Sequence, residues 1–405
     1  MMRLSISARL ILFVLCVAIA SGAVHQQEPA GPPPMKIRLT DVARQAGVTV
    51  LNISGGPRKD YLLESVGSGA AWLDYDNDGL LDLLVVNGST VEHLKTGGDS
   101  MLTLYRNNGD GTFTDVTTRV GLVKKGWGMG VCVADYDNSG TGDVYVTGYG
   151  RNALLRNNGD GTFADVTRQA GVGHTGWSTG CSFGDYDRDG FVDLYVARYV
   201  ATPLDKIPKA SAGSFCQYMA MDTFCGPRGL QAEPDILYHS NRDGTFTDVT
   251  EKAGIRDSGG FGFQVVFSDF DDDGWLDIYV ANDSTPNFLF WNNHNGTFTE
   301  GALEAGAALS EEGHAQSGMG VSVGDYKNDG KFGIFVTNFS QDYNTLYENS
   351  GTRNFFDVTR RAGLVAAQLG DMGWGTNFID TDNDGYLDLF VANGHIYPAV
   401  DQSSF

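Results

Sequence analysis

The chain has 405 residues, a formal net charge of −22 and 54 glycines. This length suits one large domain or two to three ordinary ones, and the glycine excess without a collagen period favours an all-β fold with many tight turns. The sequence shows no basic patch that could neutralise phosphates, so nucleic acid is excluded as an expected partner.

Residues 1–23 are predicted to be a secretory signal peptide. Arg3 and Arg9 precede an apolar run over residues 10–20, and small residues at 21–23 fit a cleavage site. The run is about half of the roughly 20 residues that a membrane helix needs, so no membrane span is expected after cleavage. We expect a secreted protein, located outside the cell, in a periplasm or at the cell surface. The proline-rich residues 24–36 are predicted to form an extended linker.

Residues 37–405 carry a repeated acidic loop, and its first copy spans residues 74–82. Carboxylates stand at loop positions 1, 3, 5 and 9, which are Asp74, Asp76, Asp78 and Asp82, and glycine stands at position 6. Ca²⁺ takes six to eight oxygen ligands, and alternating carboxylates supply them. The backbone carbonyl of Leu80, at position 7, is the expected further ligand. An apolar run follows at once, so the loop leads into a strand and not into the second helix of an EF-hand.

Five further copies recur at a period of about 50 residues, which is typical of propellers and other repeat arrays. Four of them keep the ligand pattern, so we expect about five Ca²⁺ ions in all. The expected ligands are Asp135, Asp137, Ser139, Thr141 and Asp143; Asp185, Asp187, Asp189, Phe191 and Asp193; Asp269, Asp271, Asp273, Trp275 and Asp277; and Asp380, Asp382, Asp384, Tyr386 and Asp388. The copy at Asp325 carries Lys327 at position 3 and Gly333 at position 9, so it is expected to hold no calcium. The alternative is that acidic turns merely decorate hairpins.

Each repeat is predicted to contain four antiparallel strands. In the second repeat these are residues 131–134, 144–147, 153–156 and 162–167, and an Asn-Gly-Asp-Gly turn precedes the last. Four such strands form a β-propeller blade, and about six repeats are recognisable. The sequence therefore predicts an all-β propeller.

The third and fourth acidic loops start 84 residues apart because of an insertion at about 199–235, which shows no strand alternation. Because this segment lacks a core-forming pattern, a disulfide between Cys216 and Cys225 is expected to staple it. Cys132 and Cys181 lie in first strands, three and four residues before their loops. That offset turns their side chains to opposite faces, so both are predicted to be buried thiols.

Several motifs carry a resemblance to a known family. The tandem acidic loops, the Asn-Asn-Gly-Asp-Gly-Thr-Phe hairpins at 107–113 and 157–163 and the segments at 225–230, 282–287 and 393–398 resemble the FG-GAP/VCBS repeats of the cartilage acidic protein-like (ASPIC/UnbV) family. The resemblance implies a calcium-binding propeller related to the integrin α head, usually of seven blades. It also implies a C-terminal ASPIC/UnbV module, which this sequence lacks.

Two functions remain open. One is an extracellular binding or adhesion module that recognises a protein or a glycan. The other is a propeller enzyme acting on polysaccharide, a lyase or a hydrolase, which would need a lysine or arginine with a tyrosine or histidine near the axis. The predicted first strands carry tryptophan, glycine, alanine, valine and cysteine there instead, so binding is favoured and no catalytic residue is assigned.

The ends of the repeat region predict an open ring. Residues 40–48 copy the end of a repeat, yet the sixth repeat supplies strands only near 376–379 and 387–392. We therefore expect a fragment of a seven-bladed protein, in which residues 39–42 do not pair with the sixth repeat. The alternative is a closed propeller of six blades.

Overall fold

The computed structural model describes residues 37–213, 216–255, 259–365, 369–398 and 400. The chain divides into two compact units, Met1–Thr40 and Asp41–Phe405, and every strand and helix given below lies in the second. The predicted signal peptide and linker lie outside the described residues.

The first three repeats contain fifteen strands. Repeat one contributes β1 (Ala70–Leu73), β2 (Asp82–Val86), β3 (Asp99–Ser100), β4 (Leu102–Asn107) and β5 (Phe113–Asp115). Repeat two contributes β6 (Lys125–Ala134), β7 (Asp143–Tyr149), β8 (Ala153–Asn157) and β9 (Phe163–Asp165). Repeat three contributes β10 (Ser178–Gly184), β11 (Asp193–Arg198), β12 (Cys216–Tyr218), β13 (Met221–Thr223), β14 (Ile236–Ser240) and β15 (Phe246–Asp248).

The last three repeats contain ten strands. Repeat four contributes β16 (Gly262–Ser268), β17 (Asp277–Asn282), β18 (Phe288–Asn292) and β19 (Phe298–Glu300). Repeat five contributes β20 (Gly318–Gly324), β21 (Gly333–Asn338), β22 (Thr345–Asn349) and β23 (Phe355–Asp357), and repeat six β24 (Gly373–Ile379) and β25 (Asp388–Asn393). Helices are single turns: α1 (Val91–Leu94), α2 (Thr167–Ala170), α3 (Ala302–Ala305) and three 3-10 turns at Leu62–Glu64, Leu204–Lys206 and Ala210–Ala212. None of the described helices is long and apolar enough to cross a membrane.

Repeats one to five each form an antiparallel sheet whose four main strands follow chain order. β3 joins the sheet of repeat two by pairing with β6, and β12 pairs with β13 in a separate hairpin. Each acidic loop is the connection between the first and second strands of its repeat. The last residue of the first strand pairs with loop position 9, as Leu73 does with Asp82 and Ala134 with Asp143.

Successive sheets pack face to face, with their first strands in contact from β1 to β6 and onward through β10, β16, β20 and β24. The apolar core lies between the sheets, because the second and third strands bury large side chains on both faces. Glycine is required where first strands approach most closely. A Cβ on Gly130 would lie 2.3 Å from the carbonyl oxygen of Thr179, and one on Gly320 would lie 2.1 Å from that of Trp374.

The first strands surround a central cavity of about 1030 Å³. Each repeat contributes at least one lining residue, namely Ala70, Val131, Gly180, Gln264, Val321 and Thr376. The shared wall explains the glycine-rich composition of these strands, since small residues let six strands converge.

The insertion contains a hairpin where none was expected. β12 and β13 pair over three residues each, and a disulfide joins Cys216 to Cys225, the predicted pair. The hairpin reaches the fifth repeat, where the hydroxyls of Tyr218 and Ser340 lie 2.6 Å apart. The sequence pattern missed the hairpin because its strands are only three residues long and just one of the six side chains, that of Thr223, is buried, so burial imposes no alternation on them.

The prediction of buried thiols at Cys132 and Cys181 is wrong, because a disulfide joins them with a Cα–Cα distance of 5.8 Å. The two side chains do point to opposite faces of their own sheets, as the offset indicated. Cys132, however, lies on the face of the second sheet that packs against the third, and Cys181 lies on the face of the third sheet that packs against the second. The two side chains therefore meet between the sheets, and the disulfide links β6 to β10.

The sixth repeat is incomplete within the described residues. β24 and β25 pair only with each other there, and residues 37–42 form no strand. Phe390, the third residue of β25, is 44% exposed, whereas the equivalent side chains of the five preceding repeats are 0% exposed (Leu84, Tyr145, Tyr195, Tyr279 and Phe335). That residues 39–42 and the sixth repeat belong to an open seven-bladed ring stays a prediction.

Candidate calcium sites

The position 1 aspartate of each loop holds the loop backbone in a tight turn. In the first loop, Asp74 Oδ1 accepts a hydrogen bond from the amide of Asp78 at 3.0 Å, and Oδ2 accepts one from Gly79 at 2.9 Å. The same pair of bonds forms at Asp135, Asp185, Asp269, Asp325 and Asp380. Position 6 has φ near +85° in this turn, which glycine adopts without steric cost.

The position 9 aspartate ties the loop to the third strand. Asp82 is buried, accepts from the amide of Tyr75 at 3.1 Å and accepts from the amide of Asn107 at 2.7 Å. Asp143, Asp193 and Asp277 are buried in the same way, with the same two kinds of partner. Burial, opposed by these hydrogen bonds and reinforced by neighbouring aspartates, raises the pKa of Asp143 and Asp277 to about 7 and that of Asp193 to about 8.

The position 3 aspartate has an oxygen with no protein partner. Oδ1 of Asp76, Asp187 and Asp271 is buried and accepts no hydrogen bond in the described part of the chain. Carboxylate oxygens from positions 1, 3 and 5 lie within 4.8 Å of one another in the loops at Asp74, Asp185 and Asp269, and positions 1, 3 and 9 converge likewise in the loop at Asp135. A buried, unpartnered carboxylate oxygen is costly unless a cation binds it. The donor set therefore fits a hard cation such as Ca²⁺.

Positions 5 and 7 complete the turn. The position 5 carboxylate accepts from the amide of position 7, at 3.0 Å between Asp78 and Leu80, 2.8 Å between Asp189 and Phe191, 2.9 Å between Asp273 and Trp275, and 2.8 Å between Asp384 and Tyr386. In the second loop, Ser139 Oγ lies 3.0 Å from Thr141 Oγ1. The role of the position 7 carbonyls as ligands stays a prediction.

Basic side chains that the sequence pattern did not single out reach several loops. Arg106 Nε lies 2.7 Å from Asp76 Oδ2, and Arg353 contacts both Asp271 and Asp273. Arg242 Nε lies 2.7 Å from Asp189 Oδ2, and His294 Nε2 lies 2.6 Å from Asp273 Oδ2. His239 joins Asp187 and Asp193 in a further group of possible ligands. These residues come from the third strands or the following turns, so sequence spacing alone gives no signal of the contact.

The fifth and sixth loops differ from the others. Lys327 Nζ lies 3.0 Å from Asp329 Oδ2 and 3.7 Å from Glu348 Oε1, so the ammonium sits beside position 5 and a third-strand glutamate. In the sixth loop Asp388 is exposed instead of buried, and hydrogen bonds from the side chain and amide of Thr381 lower its pKa.

The comparisons with known proteins agree with the repeats. The FG-GAP-like repeat family matches residues 74–146, 135–196, 220–280 and 269–336. Cartilage acidic protein 1 of Homo sapiens is 30% identical over 195 residues, which are 45% of this chain and 28% of that protein. The Mus musculus protein of the same name is 28% identical over 194 residues, again 45% of this chain and 28% of that protein. The chain thus spans well under two thirds of the relatives that it matches.

Two solved structures are similar at low identity. One is an Agrocybe aegerita lectin that recognises non-reducing terminal N-acetylglucosamine, with a TM-score of 0.41, 16% identity and coverage of 80% of this chain and 73% of that one. The other is the rhamnogalacturonan lyase YesW, with a TM-score of 0.39, 12% identity and coverage of 80% and 55%. The family match covers more than half of the residues and includes five of the six acidic loops, so this chain belongs to the FG-GAP-like repeat family.

Proposed function

We propose that the chain is a secreted, calcium-binding β-propeller that acts as a binding or adhesion module for an extracellular protein or glycan. The observation that carries the calcium assignment is the buried, unpartnered Oδ1 of Asp76, Asp187 and Asp271. Those three atoms stand at the same position of three separate repeats. A recurrent orphan oxygen of this kind supports a recurrent ligand.

The propeller assignment is supported by the order and packing of the sheets. Five four-stranded antiparallel sheets follow one another along the chain, each with its first strand against that of the next. All six repeats line one cavity of about 1030 Å³. Radial repetition of four-stranded sheets around a central channel is the architecture of a propeller.

Five loops would hold Ca²⁺, those that begin at Asp74, Asp135, Asp185, Asp269 and Asp380. In each loop the side chains at positions 1, 3, 5 and 9 and the backbone carbonyl at position 7 would supply the oxygen ligands. A bound ion would neutralise a carboxylate cluster and fix the connection between first and second strands. The expected total of about five ions carries about +10, against a net charge of −22 for the chain.

The extracellular location is supported by the two disulfides, Cys132–Cys181 and Cys216–Cys225. Disulfides persist in oxidising compartments and are rare in the cytosol. Export would also expose the loops to the calcium concentrations at which weak extracellular sites fill.

One residue supports the alternative, a lyase or hydrolase that acts on polysaccharide. Lys59 lines the central cavity, and burial, partly offset by Glu64, lowers the pKa of its ammonium, as a general base requires. Its Nζ nevertheless donates to the carbonyls of Ser54 and Glu64, the latter at 2.9 Å. These bonds give Lys59 a structural task, and the binding function is the one we favour.

Purified protein on glycan and extracellular-protein arrays, in calcium and in EDTA, tests the proposed function. We expect at least one protein or glycan that binds in calcium and not in EDTA, and we expect no cleavage of polysaccharides. Cleavage of a polysaccharide by the wild type, lost in Lys59→Met and retained in a surface control such as Lys95→Met, would replace binding with catalysis. Binding that is identical in calcium and EDTA would contradict the role given to the loops.

A further inference from the structure

A second, smaller cavity of about 180 Å³ lies against the central one and shares with it the side chains of Phe263, Met319 and Trp374. The rest of its lining comes from segments that are far apart in the sequence. They include the insertion at Phe224, Gly226 and Pro227, the turn after β17 at Asp283 and Ser284, and Tyr397 after β25. None of them belongs to an acidic loop, so calcium binding does not account for their convergence.

Six of the sixteen residues that line this small cavity are aromatic. Phe263 stands 6.1 Å from Trp374 and 5.5 Å from Tyr199, measured between ring centroids. Tyr397 stands 5.1 Å from Phe224 and 6.0 Å from Phe339. The faces of such rings carry negative electrostatic potential, so a cage of them attracts a cation.

The same cavity contains one buried acid. Asp283 is 6% exposed, accepts a hydrogen bond from Tyr199 Oη at 2.5 Å and accepts one from Ser284 Oγ at 2.9 Å. Within the described residues no lysine, arginine or histidine lines the cavity. Burial raises the pKa of Asp283, while the hydroxyl donors and the more distant charge of Arg228 oppose that rise. The cavity therefore offers a buried carboxyl group, whose charged form a bound cation would favour, and aromatic faces without a lining cation.

We propose that this small cavity binds an organic ammonium ion, with the cationic head among the aromatic rings and its charge facing Asp283. A neutral sugar would leave the buried carboxylate uncompensated, and an anion would be repelled by it. Ring faces and a carboxylate together are the chemistry that recognises quaternary ammonium groups. The volume limits the enclosed part of the ligand to a small head group.

Tetramethylammonium chloride is the direct probe, and neopentyl alcohol is its neutral control of similar shape. Titration calorimetry on the full chain in calcium should give a dissociation constant for tetramethylammonium that is at least about tenfold lower than the one for the alcohol. Choline and a peptide that contains trimethyllysine extend the test. Tighter binding of choline would identify the natural ligand as a free small molecule, whereas tighter binding of the peptide would identify it as a protein side chain. Either result supports the proposed site.

Three variants locate the binding. Asp283→Asn removes the charge with little change of shape and should weaken tetramethylammonium binding about tenfold, whereas Asp342→Asn, which changes a nearby acid outside the cavity lining, should change it less than twofold. Phe339→Leu keeps apolar volume but removes a ring face, so it should weaken the ammonium ion and leave the alcohol unchanged. Thermal melts check that each variant folds.

Equal binding of tetramethylammonium and the alcohol would overturn the proposal, and so would the absence of ammonium binding or equal effects of Asp283→Asn and Asp342→Asn. The inference does not rest on the proposed function, because the cavity shares no residue with the calcium loops. A negative titration with a calcium-dependent melt intact would reject only the ammonium site.

Discussion

The aspartates of one loop have different tasks although they are the same residue type. Position 1 accepts two amides of its own loop, and position 9 accepts one amide from the loop and one from the third strand. In the loops at Asp74, Asp185 and Asp269, position 3 keeps a buried oxygen that no donor among the described residues reaches. The carboxylates at positions 3 and 5 are therefore the places where substitution should affect an ion more than the fold.

A matched pair of substitutions at position 5 tests the difference between loops three and five. Asp189→Asn should remove one calcium ion from the bound total or weaken that site at least about tenfold, because the lost charge belongs to a ligand. Asp329→Asn should leave the total unchanged, because Lys327 and Gly333 replace the acids at positions 3 and 9 of that loop, which is expected to hold no ion. Lys327→Asp alone should add no ion, since Gly333 supplies no carboxylate at position 9.

Equilibrium dialysis with elemental analysis measures the bound calcium. A loss of one ion in Asp329→Asn, or an unchanged total and affinity in Asp189→Asn, would contradict the assignment of loops.

The buried position 9 aspartates predict how stability without calcium depends on pH. The pKa values of Asp143 and Asp277 are raised to about 7 and that of Asp193 to about 8, from 3.8. The folded state therefore holds protons that the unfolded chain releases, so stability in EDTA should fall as the pH rises through this range. Calcium displaces those protons, and its stabilising effect should grow over the same window. Melts in EDTA and in calcium between about pH 5 and pH 8 measure both trends; a rising midpoint in EDTA would reverse the sign.

At the scale of elements, local sequence patterns determine the loops and most of the strands. The predicted strands of repeat two at 131–134, 144–147, 153–156 and 162–167 lie within, or overlap with, β6 to β9. The loop residues could be identified because the turn is made by neighbours in sequence. The arginines and histidines that reach the loops could not, because strand pairing, and for Arg353 the packing of neighbouring sheets, brings them there from distant parts of the sequence. The Cys132–Cys181 disulfide was missed for the related reason that sheet-to-sheet packing is not a property of either strand.

The two disulfides should contribute unequally to stability. Cys132–Cys181 closes a chain separation of 49 residues and Cys216–Cys225 one of 9. The loss of chain entropy in the unfolded state corresponds to about 4 kcal/mol for the first and about 2.5 kcal/mol for the second. Replacing Cys132 and Cys181 by serine should therefore lower the melting temperature more than replacing Cys216 and Cys225. Non-reducing peptide mapping provides the control, and alkylation of Cys132 without prior reduction would contradict the disulfide.

The sixth sheet should be the least stable of the series. It has two strands within the described residues, and Phe390 is 44% exposed where the equivalent Phe335 of the fifth repeat is 0% exposed. Amides of β24 and β25 should therefore exchange with solvent faster than those of β20 and β21. Hydrogen exchange resolved by mass spectrometry measures the difference. Equal protection of the two pairs would indicate that something covers the sixth sheet, contrary to our expectation.

At the scale of the whole molecule, the acidic composition follows from the repeats, because each repeat carries an acidic loop. The six loops contain 22 aspartates, as many as the net negative charge of −22. The loops recur once per sheet at the same strand connection, so each repeat carries its own cluster of carboxylates. Mutual repulsion within each cluster opposes folding unless cations bind there, and a ligand that binds only the folded state stabilises it.

Thermal melting of the purified chain, in calcium and in EDTA at the same ionic strength, tests whether calcium stabilises the fold. We predict a midpoint that is higher in calcium by roughly 10 °C or more, because several sites bind only the folded state. Magnesium at the same concentration should give a smaller shift, since it requires near-ideal octahedral geometry and dehydrates reluctantly. Equal midpoints in calcium and EDTA would contradict calcium binding as a source of folding free energy.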